Sequence, residues 1–408
     1  MRIGMVLLGG TKFPPDIRVE KEVKALVSTG HKISLLTEYS NEELYNDNSY
    51  IDGLRIIRVP IKNRSSVRKL LSFQYFHLID KRYFKYIKDF IDSEKPEILH
   101  VHDFHMLPTV FKCLDFYGIA IDVIADLHEN YPAALKSYIS DLPNAKKIIS
   151  SFLLNYKIWR HHERVYLKRC AHIITVVEEA NERLFSYGIP KDRITVVSNT
   201  ENEDTFQVDN STISTDMVEH YKNRFVVSYI GGIGPHRGLT TVLRALRECV
   251  ESIPHFTLLI VGAKPDNIRR IEEIKKELGI SDLSKNIEVV GWVPFSKVNE
   301  YVAVSDVCMV PHEDFEHTQT TIPHKLFQYM MGKKTILVSD CAPLKRIVGD
   351  TGAGYVFQAG NPHSFSEIIQ VIVKESVSDI KRRQEKAYEL ATGTFSWTYD
   401  AEKLQKIY

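Results

Sequence analysis

The sequence predicts an α/β chain of two similar domains, each a parallel sheet covered by helices. Three observations point there. Short apolar runs alternate with amphipathic segments of helical length along most of the chain. The series breaks once, in a polar stretch from Glu201 to about Arg224 that reads as a linker. A chain of 408 residues also exceeds what one ordinary core encloses.

The first run, IGMVLL, leads into IRVEKEVKALVSTG, a helix-like segment with a glycine stop, and then into the strand-like KISLLT. EILHVHD, IDVIADLHE, AHIITVVEE and RITVVSN repeat the pattern, each an apolar run that ends in polar residues. Such alternation builds parallel strands with helices on both faces. Residues just past the strands' carboxyl ends then line the ligand crevice, and Gly10, Asp103, His128 and Asn199 fall there. A second series runs FVVSYIGG, FTLLIVGA, IEVVGWV, VCMVPHE, KTILVSD and GYVFQAG. The expected division is a first domain at 1–200, a second at 201–388 and a helical tail at 389–408.

Composition excludes several classes. Lys+Arg 53 against Asp+Glu 52 leaves a net charge of +1, so nothing in the total calls for nucleic acid. Hydrophobic residues at 44% and charged residues at 26% are those of an ordered globular chain. The 5 cysteines are scattered without a C-x-x-C, which favours a reducing, cytoplasmic setting. The apolar run in MRIGMVLLGG is only about six residues long, too short for a signal peptide's core or a membrane span. Two segments, 61–90 and 145–170, are both basic and apolar. The first has Lys62, Arg64, Arg68, Lys69, Lys81, Arg82, Lys85 and Lys88; the second sets Lys146, Lys147, Lys157 and Arg160 around Ile148, Phe152 and Trp159. Each reads as a solvated face over a core or as a peripheral contact with an anionic bilayer.

The richest stretch is TTIPHKLFQYMMGKKTILVSD, Thr320 to Asp340. Thr320 or Thr321 is expected to cap a helix that has Pro323 at its start and Gly332 at its end. Lys325 in the first turn opposes the helix dipole, a conflict that a bound anion would remove. YIGGIGPHRGL joins a strand to the helix-like TTVLRALRECV, and Arg237 beside that helix start is shaped to grip diphosphate oxygens. Its glycines, Gly232, Gly234 and Gly238, miss the dinucleotide spacing G-x-G-x-x-G by one residue, and no acidic residue ends the next strand. MMGKKT lacks the first glycine of a phosphate-binding P-loop, with Phe327 in its place. HVHDFH raises a metal question, but its order differs from H-x-H-x-D-H. His100 and His102 are expected on opposite strand faces, so no metal site is expected. HHERVY lacks the second histidine of H-E-x-x-H. His128 and Glu129, in IADLHENYP, are candidates to contact a polar substrate.

Taken together, these motifs resemble the family 4 glycosyltransferases of the two-domain GT-B fold. The resemblance runs from PPDIRVEKEVKALVSTGHKISLLT through ILHVHD, IADLHENYP and VVSNTEN to YIGGIGPHRGL, VVGWVP and TIPHKLFQYMMGKKTILVSD. It implies two Rossmann-like domains facing across a cleft, with FSWTYDAEKLQKIY as a helix that crosses back to the first. It also implies retaining transfer of a sugar from a UDP- or GDP-linked donor to a glycan or lipid-linked acceptor, with no metal cofactor required. By this resemblance Arg237 matches the residue on the donor diphosphate and His128 the histidine beside the donor sugar. Val293 matches the position at the base, and Gly9 and Gly10 fit the loop near the phosphates. Gly232 stands where the family often has Arg, so Lys325 is expected to supply that charge. Thr320 and Gln328 stand where a spaced pair of glutamates is typical, and Gln328 offers a neutral contact to ribose. Asp16, Arg18, Asp103 and Glu129 are candidates for acceptor contacts. Two rival readings stay open: a sugar-nucleotide epimerase of the same fold, and a sugar-nucleotide-binding relative without turnover.

Overall fold

The apolar runs become strands of two separate parallel sheets. The protein is described by a computed structural model covering residues 1–39, 51–60, 79–140, 155–204, 206, 208 and 213–408. The chain forms two units, Met1–Ser198 with Asp400–Tyr408, and Asn199–Tyr399.

Unit 1 holds β1 (Arg2–Lys12), β2 (Lys32–Tyr39), β3 (Leu54–Pro60), β4 (Ile98–His102), β5 (Asp122–Leu127), β6 (His172–Thr175) and β7 (Ile194–Val196). They form one 7-stranded sheet in the order β3-β2-β1-β4-β5-β6-β7, with every neighbouring pair parallel. β3 is absent from the expected series. Arg55 and Arg58 interrupt its apolar residues, and an edge strand tolerates them because one face stays open to water. The core gathers Val6, Leu99, Val101 and Val123 with Phe104 and Trp159. The helix Ile17–Ser28 starts at Asp16, whose carboxylate accepts from the amides of Arg18 and Val19.

Unit 2 holds β8 (Phe225–Ile230), β9 (Phe256–Ala263), β10 (Ile287–Gly291), β11 (Val307–Val310), β12 (Thr335–Ser339) and β13 (Tyr355–Phe357). The 6-stranded order is β10-β9-β8-β11-β12-β13, again all parallel. Tyr229, Leu258, Ile260, Met309 and Phe365 pack in its core.

Two expectations about the connections need correction. The polar stretch taken as a linker contains the helix Thr215–Tyr221, started by Ser214, whose hydroxyl accepts from Met217 N–H at 3.3 Å. Tyr221 is buried and its hydroxyl donates to Glu288 at 2.6 Å, so this piece is anchored on unit 2. The tail is not one segment either. Trp397 N–H donates to the Glu201 carbonyl at 2.9 Å within unit 2, whereas Asp400–Tyr408 belong to unit 1. There Leu404 is fully buried and Gln405 Nε2 donates to the Ala25 carbonyl at 2.8 Å.

All 5 cysteines are free and buried. Among the described residues no helix is long and apolar enough to cross a membrane. Of the two basic segments, 61–78 and 145–154 lie outside the described residues. In the remainder, Lys85 and Lys88 pair with Asp89 and Asp92 one helical turn on, and Trp159 is buried against Tyr131 and Phe104.

Candidate functional site

In unit 2 the strand order reverses between β8 and β11. A ligand crevice opens at the carboxyl ends of such a pair, because the flanking helices leave in opposite directions. β8 runs into Gly231, the short turn Pro235–Arg237 and Gly238, which starts the helix Leu239–Ser252. Only glycine suits position 238. Its φ is +73°, and a Cβ there would lie 1.5 Å from the Pro311 carbonyl oxygen. The Arg237 turn therefore sits directly on the segment that follows β11. The Glu313 amide donates to the His236 carbonyl at 3.0 Å, and Arg237 Nη1 donates to His312 Nε2 at 3.2 Å.

Lys325 enters this place from the helix His324–Met331. Its ammonium lies 3.5 Å from the centroid of the buried Tyr229 ring, a cation–π contact. Nζ is buried and has no hydrogen-bond partner among the described residues. Burial, and then the neighbouring Arg237 charge, hold its pKa well below the ordinary lysine value. Histidines nearby are held neutral for the same reasons. His236 is pushed down to about 3 and His312 well below its usual range, in each case by burial first and Arg237 second. Among the described residues no carboxylate forms an ion pair with Arg237 or Lys325. The Arg237 charge is thus left without a carboxylate partner among the described residues, and the Lys325 charge is disfavoured by its burial.

The expected threonine cap is absent. Pro323 holds the N-cap position and makes no side-chain hydrogen bond to the helix's first turn. Thr318–Thr320 form a turn of their own, which brings the Thr320 hydroxyl to the carbonyls of Glu316 and His317 at 2.9 and 3.3 Å. Thr321 is the extended residue after that turn. Gly332 does end the helix, but for packing rather than backbone sign. A Cβ there would meet Val208 at 3.0 Å, and the left-handed residue is Lys333 (φ 49°). Gln328 is buried with its amide donating to Glu201 Oε2 at 3.2 Å. A glutamate at this place would set two carboxylates together, which accounts for the neutral side chain. The carbonyl of Gly232 accepts from Tyr229, and its Cα faces open space. Val293 is half-buried beyond β10. Beside it Trp292 is 73% exposed, a large apolar side chain at a strand's carboxyl end that sequence reasoning passed over.

In unit 1 the corresponding reversal falls between β1 and β4. Gly9 and Gly10, expected near phosphates, have left-handed φ of +91° and +104° and aim their amides at Glu38, at 3.4 and 2.7 Å. Asp16 serves as the helix cap described above. Arg18, expected to meet an acceptor, is instead a buried ion-pair centre. Its Nη2 and Nε reach Asp126 at 2.7 and 3.1 Å, and Nε lies 3.0 Å from Glu22. His100 and His102 share one face rather than opposing faces, their rings 4.4 Å apart, because residues two apart on a strand point the same way. Both turn toward the same carboxylates, and the C-terminal Tyr408 hydroxyl meets His100 Nδ1.

His128 stands on this cluster, 19% exposed, with Nε2 at 2.7 Å from Asp126 and Nδ1 at 3.5 Å from Asp103. Burial would lower its pKa, but Asp103 and Asp126 outweigh burial and raise it to about 10. Asp103 has φ 62° and ψ 140°, a region costly for any side chain and concentrated at functional sites. Glu129 is half-buried beside it. Burial raises Glu22 to about 7, with Asp126 adding to the shift. Glu22, His100, His102 and Asp126 each present one donor atom within 4.8 Å of the others, and among the described residues this is the group that could hold a metal ion. Arg18 already occupies both carboxylates, so a metal would compete with a fixed cation for its ligands.

Comparison with known proteins identifies the class of this two-unit, parallel-sheet α/β chain. The model for Glycosyltransferase Family 4 matches residues 17–202, and that for Glycosyl transferases group 1 matches 224–375. The chain belongs to the family 4 glycosyltransferases and has the GT-B fold of two Rossmann-like units. Among solved structures it is similar to sucrose-phosphate synthase from Thermosynechococcus elongatus, with TM-score 0.76 and 15% identity over 100% of this chain and 98% of that one. It is also similar to HepE of Anabaena, solved in complex with UDP and glucose, with TM-score 0.70 and 12% identity over 100% and 99%. A curated relative, the lipopolysaccharide 1,2-N-acetylglucosaminetransferase of Salmonella typhimurium, is 21% identical over 57% of this chain. That match spans 61% of the relative's length.

Proposed function

We propose that this glycosyltransferase takes its sugar from a UDP- or GDP-linked donor, with retention, and passes it to a glycan or lipid-linked acceptor in cell-surface polysaccharide synthesis. One observation carries the donor reading. Arg237 and Lys325 lie at the β8/β11 switch point with no carboxylate paired to either among the described residues, and Lys325 Nζ is buried without a hydrogen-bond partner. A diphosphate supplies the missing anion. As the bond between the anomeric carbon and the diphosphate oxygen breaks, charge grows on the leaving group; the Arg237 guanidinium stabilises it there, joined by Lys325, whose protonated form that anion favours. His128 orients the sugar and is not a nucleophile, since its Nε2 is committed to Asp126 and its charge is held by two carboxylates. Trp292, exposed just past β10, and the half-buried Val293 beside it are our candidates for contact with the base. Glu129 and Asp103 are the acceptor-side candidates that retain partly exposed positions. The HepE complex with UDP and glucose, and the lipopolysaccharide activity of the Salmonella relative, support the donor and acceptor classes. The enzyme acts without a metal cofactor, in the cytoplasm, and contacts the membrane peripherally through 61–90 and 145–170.

The test is a thermal-shift screen of nucleotide sugars, followed by an assay of nucleoside diphosphate release across acceptors, with and without EDTA. A true donor at a hundred times its Kd adds about 2.7 kcal/mol of stability. A panel in which no UDP- or GDP-sugar stabilises the protein removes the donor reading. Loss of turnover in EDTA removes the metal-independent one.

A further inference from the structure

We propose that His312 is a positioning residue for Arg237: it holds the guanidinium by a neutral hydrogen bond, fixing its direction without cancelling its charge. This rests on the reading of Arg237 as the diphosphate ligand. His312 follows β11, is fully buried, and accepts from Arg237 Nη1 at 3.2 Å. An arginine can only donate, so the accepting Nε2 carries the lone pair and the single proton of the neutral ring sits on Nδ1. Nδ1 has no partner among the described residues. A buried ring with one unpaired nitrogen is disfavoured for packing alone, because an apolar side chain of similar size carries no such cost.

The two segments are also locked together. Gly238 packs its Cα against the Pro311 carbonyl, the Glu313 amide bonds the His236 carbonyl at 3.0 Å, and the Thr241 hydroxyl bonds Glu313. His312 cannot drift from Arg237 without breaking that lock. The chemistry of the partner matters as much as its place. A carboxylate here would grip the guanidinium more strongly, but it would neutralise the charge that the ligand needs. A neutral imidazole orients and leaves the charge whole. Its neutrality is secured by burial and by the two adjacent cations.

The test is calorimetric binding of UDP, GDP and inorganic pyrophosphate to the full chain and its variants. His312→Leu is expected to weaken the better nucleotide about tenfold, the scale of one hydrogen bond to a charged group. His312→Gln should recover most of that loss, because its amide oxygen accepts from Arg237. His312→Glu should bind worse than His312→Leu despite gripping the guanidinium. In an Arg237→Ala background, His312→Leu should cost nothing further, since its effect passes through Arg237. Equal losses in both backgrounds overturn the proposal. If Arg237→Ala loses binding while His312→Leu keeps it, the positioning role alone falls; if Arg237→Ala binds normally, the donor reading falls with it. A readout that needs no variant is the nitrogen NMR signature of the wild-type His312 ring. An Nδ1–H tautomer is expected, and an Nε2–H tautomer refutes the hydrogen bond.

Discussion

Each unit buries charge near its switch point, but the two treat it in opposite ways. In unit 1, Arg18 sits between Asp126 and Glu22, and His128 sits between Asp126 and Asp103, so each cation faces carboxylates of its own unit. In unit 2, Arg237 and Lys325 have neutral histidine and tyrosine neighbours and no ion pair among the described residues. A balanced buried network is a structural asset, since removing one member strands its partner. An unbalanced pair of cations is a structural liability that a ligand relieves. The difference is why the proposed site for an external anion lies in unit 2.

The largest effect should come from breaking the balanced network. Arg18→Ala leaves Asp126 and Glu22 buried without their cation and should cost about 3–5 kcal/mol in urea denaturation; a loss below about 1 kcal/mol would show that water reaches the cluster. The same network makes stability depend on pH. His128 is raised from 6.5 to about 10, so its contribution is full below about 6.5 and is lost as pH rises through about 10. His128→Gln should flatten that alkaline limb, measured as melting temperature against pH.

Next in size is Arg237→Ala, which should raise the barrier to sugar transfer by about 3 kcal/mol while leaving the melting temperature of the ligand-free protein nearly unchanged. A fall in turnover of less than about twofold refutes its role on the leaving group. The smallest effect is the most pointed. Lys325→Met replaces a buried amine that has no hydrogen-bond partner, and whose charge burial disfavours, by an apolar chain, and should stabilise the ligand-free protein by about 1 kcal/mol while weakening nucleotide binding. Destabilisation by Lys325→Met would place the lysine with the balanced groups of unit 1 and dissolve the contrast.

Much of this was legible from the residue pattern. All six strands of unit 2 coincide with apolar runs, because buried parallel strands are nearly continuous in hydrophobic residues. β3 escaped notice because an edge strand mixes arginines into its pattern, and the helix Thr215–Tyr221 because its packing face is a single buried tyrosine. Arg237 and Lys325 were visible as cations beside helix starts. The opposite-face reading of His100 and His102 was a misjudged period, and Asp126 and Glu22 drew little notice because they look like ordinary strand-end and helix acids.

Composition and periodicity determined the α/β class, the two parallel sheets and the positions of glycine-bounded turns, since these depend on local backbone preferences and on which residues avoid water. Only the tertiary structure decided which charges are answered. Whether Arg18 meets a ligand or Asp126, whether Gly10 offers its amide to a phosphate or to Glu38, and whether Gln328 faces solvent or Glu201 are settled by contacts between residues far apart in the chain. Electrostatic energy depends on distance and burial, and neither is written in the local sequence.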